Sequence, residues 1–266
     1  MPVQILCLGP LVLRTLSGDV VAHRSLRSRL LVALLVNLGS TVSKDLLIRE
    51  LWPLPPEDAI GAIHAHVSRL RRDLDRWCGK ELVTLQPRYP GYRLELDDRV
   101  EVDSARFERL AKVTGRLPRG NPHAIMETAQ EALELWRDEP FTGLDVGLEG
   151  QAARLRLQET RLSLWEILIE SALAADRCSE IIADARKLAL SFPFRERLQA
   201  KIMVALYRAG RQADALETYH HARSRLAEEL GVEPTPALRR WMTAILRHDT
   251  VLLQNSWLFE ELGPTG

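Results

Sequence analysis

The chain has 266 residues, 36 basic and 36 acidic side chains, 46% apolar and 27% charged residues. That length corresponds to about two domains, and the composition excludes a disordered chain, a collagen-like chain and a uniformly basic nucleic-acid binder. Apolar runs stay far below the roughly 18–20 residues of a membrane helix, residues 1–8 have no Lys or Arg to open a signal peptide, and Cys7, Cys78 and Cys178 are too widely spaced for a zinc site or a disulfide framework, which fits a reducing cytoplasm.

Residues 3–8 are β-prone and stop at Gly9-Pro10; residues 11–13 resume before a turn at Ser17-Gly18-Asp19, and Val20-Val21 follow, which predicts a small antiparallel sheet. Leu26, Leu30, Leu34 and Leu38 give a helix of period 3.6 that ends at Gly39. Ser43 caps a short helix over 44–52, broken by Pro53, Pro55 and Pro56. A third helix runs over about 57–77, and residues 82–85, the turn 87–91 and residues 92–96 read as a hairpin. After about residue 103 strand signals largely vanish. Helical periods follow over 103–115, 121–137, 148–175, 178–190, 194–209, 211–230 and 235–247. Ala215, Tyr219 and Ala222 carry the small and aromatic spacing of tetratricopeptide repeats. Residues 248–266 are a poorly patterned tail. The expected fold is mainly α with a small antiparallel β part: a winged helix-turn-helix domain over 1–98, an all-helical tetratricopeptide-like array over 99–247, and the tail.

On the third helix, Ile63, Val67, Leu70, Leu74 and Trp77 share one apolar stripe that must pack inward. Opposite lie Gly61, Ala65, Ser68, Arg69, Arg72 and Arg76. His64 and Arg71 flank one border of the stripe, and His66 the other. Small residues first and arginines later is the order a helix needs to enter a major groove. Arg69 offers a bidentate donor pair to guanine, and His66, Arg71 and Arg72 suit phosphates. A solvated face is the plain alternative. Two neighbours favour DNA: a short helix precedes, and a hairpin with Arg88 at its tip follows, in the order of a winged helix-turn-helix. The first 100 residues hold 14 basic against 11 acidic side chains, a net of +3. Arg24, Arg27 and Arg29, at the start of the first helix, are either solvated or grip phosphate.

Other clusters point to no chemistry. His64 and His66 are two apart and do not share a helix face, so no metal site is expected; His220 and His221 read as surface or packing residues. Ser163, Ser171 and Ser224 have no base beside them in the sequence, and no phosphate loop occurs. Trp52, Trp136, Trp165 and Trp241 sit in apolar periods and read as core. No enzyme activity and no cofactor are expected.

Six passages carry a family resemblance: residues 5–11 (ILCLGPL), 42–52 (VSKDLLIRELW), 67–74 (VSRLRRDL), 90–94 (PGYRL), 205–216 (ALYRAGRQADAL) and 228–236 (EELGVEPTP). The chain resembles a Streptomyces antibiotic regulatory protein, a SARP, of the small single-module type, over about residues 3–247. The winged-helix passages alone are shared with OmpR-type regulators. The resemblance implies an OmpR-like winged helix followed by a bacterial transcriptional activation domain. It implies activation of a secondary-metabolite gene cluster, binding of promoter direct repeats near the −35 region as a head-to-tail homodimer, and contact with RNA polymerase including its sigma factor. The family's DNA contacts carry over to His64, His66, Ser68, Arg69, Arg71 and Arg72, and to Arg88 in the wing. Many members have a Gly-Pro-Lys-Gln-Arg-like turn before the first helix; residues 22–29 here read AHRSLRSR, so Arg24 and Arg27 take that place without its motif. Larger members carry nucleotide-binding or sensor domains, and the small type is expected to lack regulation by ATP. The alternative reading is a helical-repeat scaffold whose winged helix contacts protein instead of DNA.

Overall fold

A computed structural model describes residues 3–15 and 18–255. In chain order its elements are β1 (Val3–Leu6), β2 (Val12–Thr15), β3 (Gly18–Val21), α1 (Leu26–Val36), β4 (Val42–Ser43), α2 (Lys44–Leu51), α3 (Ala59–Cys78), β5 (Val83–Arg88), β6 (Gly91–Leu96), β7 (Val100–Val102), α4 (Asp103–Thr114), α5 (Pro122–Glu134), α6 (Leu148–Ala174), α7 (Ile182–Ser191), α8 (Glu196–Arg208), α9 (Gln212–Arg225) and α10 (Pro236–Arg247). The chain divides into two compact units: residues 1–112 with 131–161, and residues 113–130 with 162–266. Among the described residues no helix is long and apolar enough to cross a membrane.

The first unit is built on two sheets. One has the order β3-β2-β1-β7. Its first three strands are antiparallel, as the sequence predicts, with Gly18 and Asp19 already inside β3; Ser17 of the expected turn lies outside the described residues. The structure adds β7, which pairs parallel with β1 in the register Val3↔Val100 and Ile5↔Val102. The second sheet has the order β4-β6-β5. Here the two-residue β4 lays Val42 against Tyr92 and Ser43 against Gly91. A Cβ on Gly91 would fall 1.8 Å from the Val42 carbonyl oxygen, so only glycine lets the hairpin close on β4.

The helices follow their sequence signals closely. α1 is capped by Ser25, which accepts from Ser28 N at 3.2 Å, and stops at Val36, one turn before the expected Gly39. Ser43 caps α2 through Leu46 N at 3.2 Å. Asp58 caps α3 through Gly61 N at 2.9 Å, which starts that helix two residues later than predicted. Leu30, Leu34, Leu47, Ile63, Leu70 and Leu74 meet in one core with both sheets. Three residues from after the hairpin, Phe141, Leu144 and Val146, belong to the same core.

Two buried carboxylates tie this unit together. Asp103, at the start of α4, accepts from Cys7 N (2.6 Å) and Leu8 N (3.0 Å) at the end of β1. Burial pushes its pKa up, against the downward pull of those N–H groups and of Arg137. Glu50, 1% exposed at the end of α2, accepts from Glu149 N at 3.0 Å and so caps the first turn of α6.

The second unit is helical among its described residues. α8 and α9 form a pair in which Ala205, Ala215, Tyr219 and Ala222 are all buried, which is the close packing the sequence spacing predicts. α9 runs on through a π turn, Leu226–Leu230, to Gly231 in the left-handed region (φ 68°). Thr235 caps α10, and Glu196 accepts from both Thr235 N (2.7 Å) and its hydroxyl (2.6 Å). Lys201 is buried on α8 and pairs with Glu166 and Glu170 of α6. Of the expected tail, residues 250–253 form a 3-10 turn. Arg208 holds it by donating to Leu252 O and Gln254 O, both at 2.6 Å. Residues 256–266 of the tail lie outside the described residues.

Candidate nucleic-acid interface

α3 is a 20-residue helix with an apolar side and a cationic side. Ile63, Val67, Leu70 and Leu74 are buried and Trp77 is half-buried, as the wheel predicts. Ala65, Ser68, Arg69, Arg72 and Arg76 are exposed. Arg69 and Arg72 make no hydrogen bond or ion pair among the described residues. An exposed guanidinium without an internal partner keeps all five donors for an external acceptor.

The border residues are more committed. His64 is exposed, with its ring edge-on to Tyr92 at 6.4 Å. His66 is half-buried, tilted against the Trp52 ring at 5.9 Å, and its buried Nδ1 has no hydrogen-bond partner among the described residues. Burial, then the nearby Arg69 and Arg27 charges, lower its pKa from the ordinary 6.5. Arg71 turns toward the hairpin, where its Nε and Nη2 donate to the Leu85 carbonyl at 3.0 and 2.8 Å.

The hairpin β5–β6 stands beside α3 as a wing. Arg88 is exposed at its tip and donates to Gln86 Oε1 at 3.3 Å, and the next residue, Tyr89, is fully exposed. A cleft of about 550 Å³ opens between the wing, the start of α2 and α3, lined among others by Lys44, His64, Arg88 and Tyr89. Sequence reasoning passed over Lys44 and Tyr89. The signal was present for Lys44, which follows a recognised helix cap; nothing in the pattern singles out Tyr89.

At the start of α1, Arg24 is exposed, and Arg27 forms an ion pair with Asp73 of α3. The third arginine there, Arg29, is half-buried. It reaches Leu51 O (3.3 Å), Asp145 (3.3 Å) and Val146 O (3.4 Å), and so serves the packing of α1, α2 and the segment before α6. The structure thus leaves Ser68, Arg69 and Arg72 exposed on α3 and sets His64 and Arg88 on one cleft. It gives Arg27, His66 and Arg71 internal partners as well. Among the described residues no group of three or more His, Cys, Asp or Glu could hold a metal.

Comparison with known proteins points the same way. Residues 102–246 match the family described as bacterial transcriptional activator domain, and residues 18–94 match the one described as transcriptional regulatory protein, C terminal. The transcriptional regulator RedD of Streptomyces coelicolor is 36% identical over 263 residues, which is 97% of this chain and 75% of that protein. The regulatory protein DnrI of Streptomyces peucetius is 32% identical, covering 95% of each. The regulatory protein AfsR of Streptomyces coelicolor is 35% identical over 90% of this chain, which spans only 24% of AfsR. Among solved structures, Mycobacterium tuberculosis EmbR in complex with a low-affinity phosphopeptide superimposes with a TM-score of 0.74 at 28% identity, over 93% of this chain and 65% of that one.

Proposed function

Since the chain belongs to the SARP family of transcriptional activators and is not an enzyme, we propose that it activates an antibiotic or other secondary-metabolite gene cluster by binding promoter direct repeats near the −35 region. In this reading residues 1–98 read the DNA and residues 99–247 serve activation. Two protomers sit head to tail on the repeats, in the cytoplasm, and recruit RNA polymerase through contacts that include its sigma factor. Same-direction half-sites call for a heterologous contact, since a closed two-fold pair would need inverted ones.

The observation that carries the reading is the exposed cationic side of α3, where Arg69 and Arg72 make no hydrogen bond or ion pair among the described residues, beside an exposed wing. α3 enters the major groove with Ala65 and Ser68 against base edges and Arg69 on a guanine; Arg72, His64 and His66 border the phosphates. Arg88 enters the adjacent minor groove. Arg24 and Arg27 reach the backbone from the start of α1.

A mobility-shift titration tests this. The duplex holds two same-direction half-sites taken from the promoter of the neighbouring cluster. The protein is expected to shift it with two protomers bound, and to leave a scrambled duplex and one with the second half-site reversed unshifted at the same concentration. Equal binding to all three would remove the sequence-reading role and leave a winged helix that contacts protein.

A further inference from the structure

α3 carries four arginines, and Arg71, at the border of the apolar stripe, is used differently from the three on the opposite side. Arg69, Arg72 and Arg76 are exposed. Arg71 is half-buried and gives two donors of its planar fork, Nε and Nη2, to a single acceptor, the Leu85 carbonyl, at 3.0 and 2.8 Å. An arginine set to hold a phosphate presents that same edge outward. Here it points at the protein's own backbone.

The acceptor's place in the fold gives the contact its consequence. Leu85 lies in β5, an edge strand of the β4-β6-β5 sheet whose one strand neighbour among the described residues is β6. Three residues further along the same strand is Arg88, followed by the exposed Tyr89. Val83 and Leu85 are buried in the core that also holds Leu70 and Leu74, and this packing sets how close β5 lies to α3. Apolar packing is non-directional, however, and does not fix how far the strand slides along the helix. A charge-assisted hydrogen bond from a rigid fork does.

We propose that Arg71 is a positioning residue for DNA recognition: it holds the Leu85 carbonyl, fixes the wing at one height along α3, and so lets Arg88 and the α3 arginines meet adjacent grooves at the same time. The proposal rests on the DNA-binding reading above. It assigns Arg71 a role that charge alone cannot fill, because a lysine ammonium is a point charge without the fork.

The test combines a double-mutant cycle with hydrogen exchange. Arg71→Lys, Arg88→Ala and the double variant are titrated by anisotropy against a direct-repeat duplex, and amide exchange is followed over residues 86–92 of the free protein. Arg71→Lys is expected to weaken binding about tenfold and to add nothing to the loss caused by Arg88→Ala, because both remove the same wing contact. In the free Arg71→Lys protein, exchange should quicken over residues 86–92 and stay unchanged in α9. Wild-type affinity in Arg71→Lys would overturn the proposal, since charge would then suffice. Losses that add would overturn it too, by making Arg71 an independent contact, and so would unaltered exchange in the wing. If the wild-type protein binds no duplex at all, the DNA reading falls, while the exchange measurement still decides whether Arg71 holds the wing.

Discussion

Arg69, like Arg72, is both exposed and without a hydrogen bond or ion pair among the described residues, and it is Arg69 that the proposed docking places on a base. Its replacement by alanine should leave stability unchanged, weaken binding to the cognate duplex by about 1–3 kcal/mol and relax preference at one base position. Affinities for duplexes altered one base at a time check this; undiminished binding of Arg69→Ala would displace α3 from the groove. His66, by contrast, links the face to pH. Its pKa is lowered by burial and by Arg69 and Arg27, so the folded protein favours the neutral ring. The sign follows from proton counting. Below about 6.5 the unfolded chain takes up the proton first, and stability is lost as pH falls toward the folded value. Urea midpoints should therefore fall on acidification more steeply for the wild type than for His66→Gln, and parallel profiles would remove His66 as the cause. The cationic side of α3 was legible in the sequence because 3.6-residue periodicity separates it from the Ile63–Leu74 stripe. The engagement of Arg71 with Leu85 was not, because a carbonyl leaves no trace in the pattern.

Between elements, the joint of α2 with α6 is the most exacting contact of the first unit. Glu50 is buried, its Oε1 caps Glu149 N, and a Cβ on Gly147 would fall 2.2 Å from its other oxygen. A carboxylate at a helix N-terminus is favoured by the unsatisfied N–H groups and the dipole there. Glu50→Ala should cost about 1–3 kcal/mol by leaving that N–H unpaired in the interior. Gly147→Ala should destabilise by displacing the same carboxylate, and the double variant by less than the two losses together. Denaturant titration of all three decides this, and additive losses would separate the two residues. The periodic helices, their Ser43 cap and the wing could be read from local pattern. Glu50 could not: in the α2 pattern it looks like a surface position, and its partner lies 99 residues away. Separation along the chain also hid β4 and β7. Each is two or three residues long, and each exists only because Tyr92 or Val3 is brought alongside.

For the whole molecule, sequence texture and compactness divide the chain differently. Strand signals end near residue 103, yet residues 131–161 belong with the first compact unit. Phe141, Leu144 and Val146 fill its core, and Asp103 holds the end of β1. Full burial of such side chains contributes about 1.5–3 kcal/mol each, so losing three of them approaches the entire stability of a small domain. A fragment ending at residue 98 should accordingly unfold at much lower urea than the first unit of the intact chain; an equal midpoint would show that these residues contribute little. Charge is arranged on the same scale. The whole chain is neutral while its first 100 residues carry +3, so affinity for DNA must come from a few placed cations and not from a general field. With about five phosphate contacts per protomer, binding to a single half-site should fall with salt along a log–log slope of about −4 to −5. Arg72→Ala should flatten that slope by about 1 while weakening all sequences alike, whereas Arg69→Ala should act mainly on the cognate sequence. A slope near zero for the wild type would mean that phosphates are not what the exposed arginines of α3 hold.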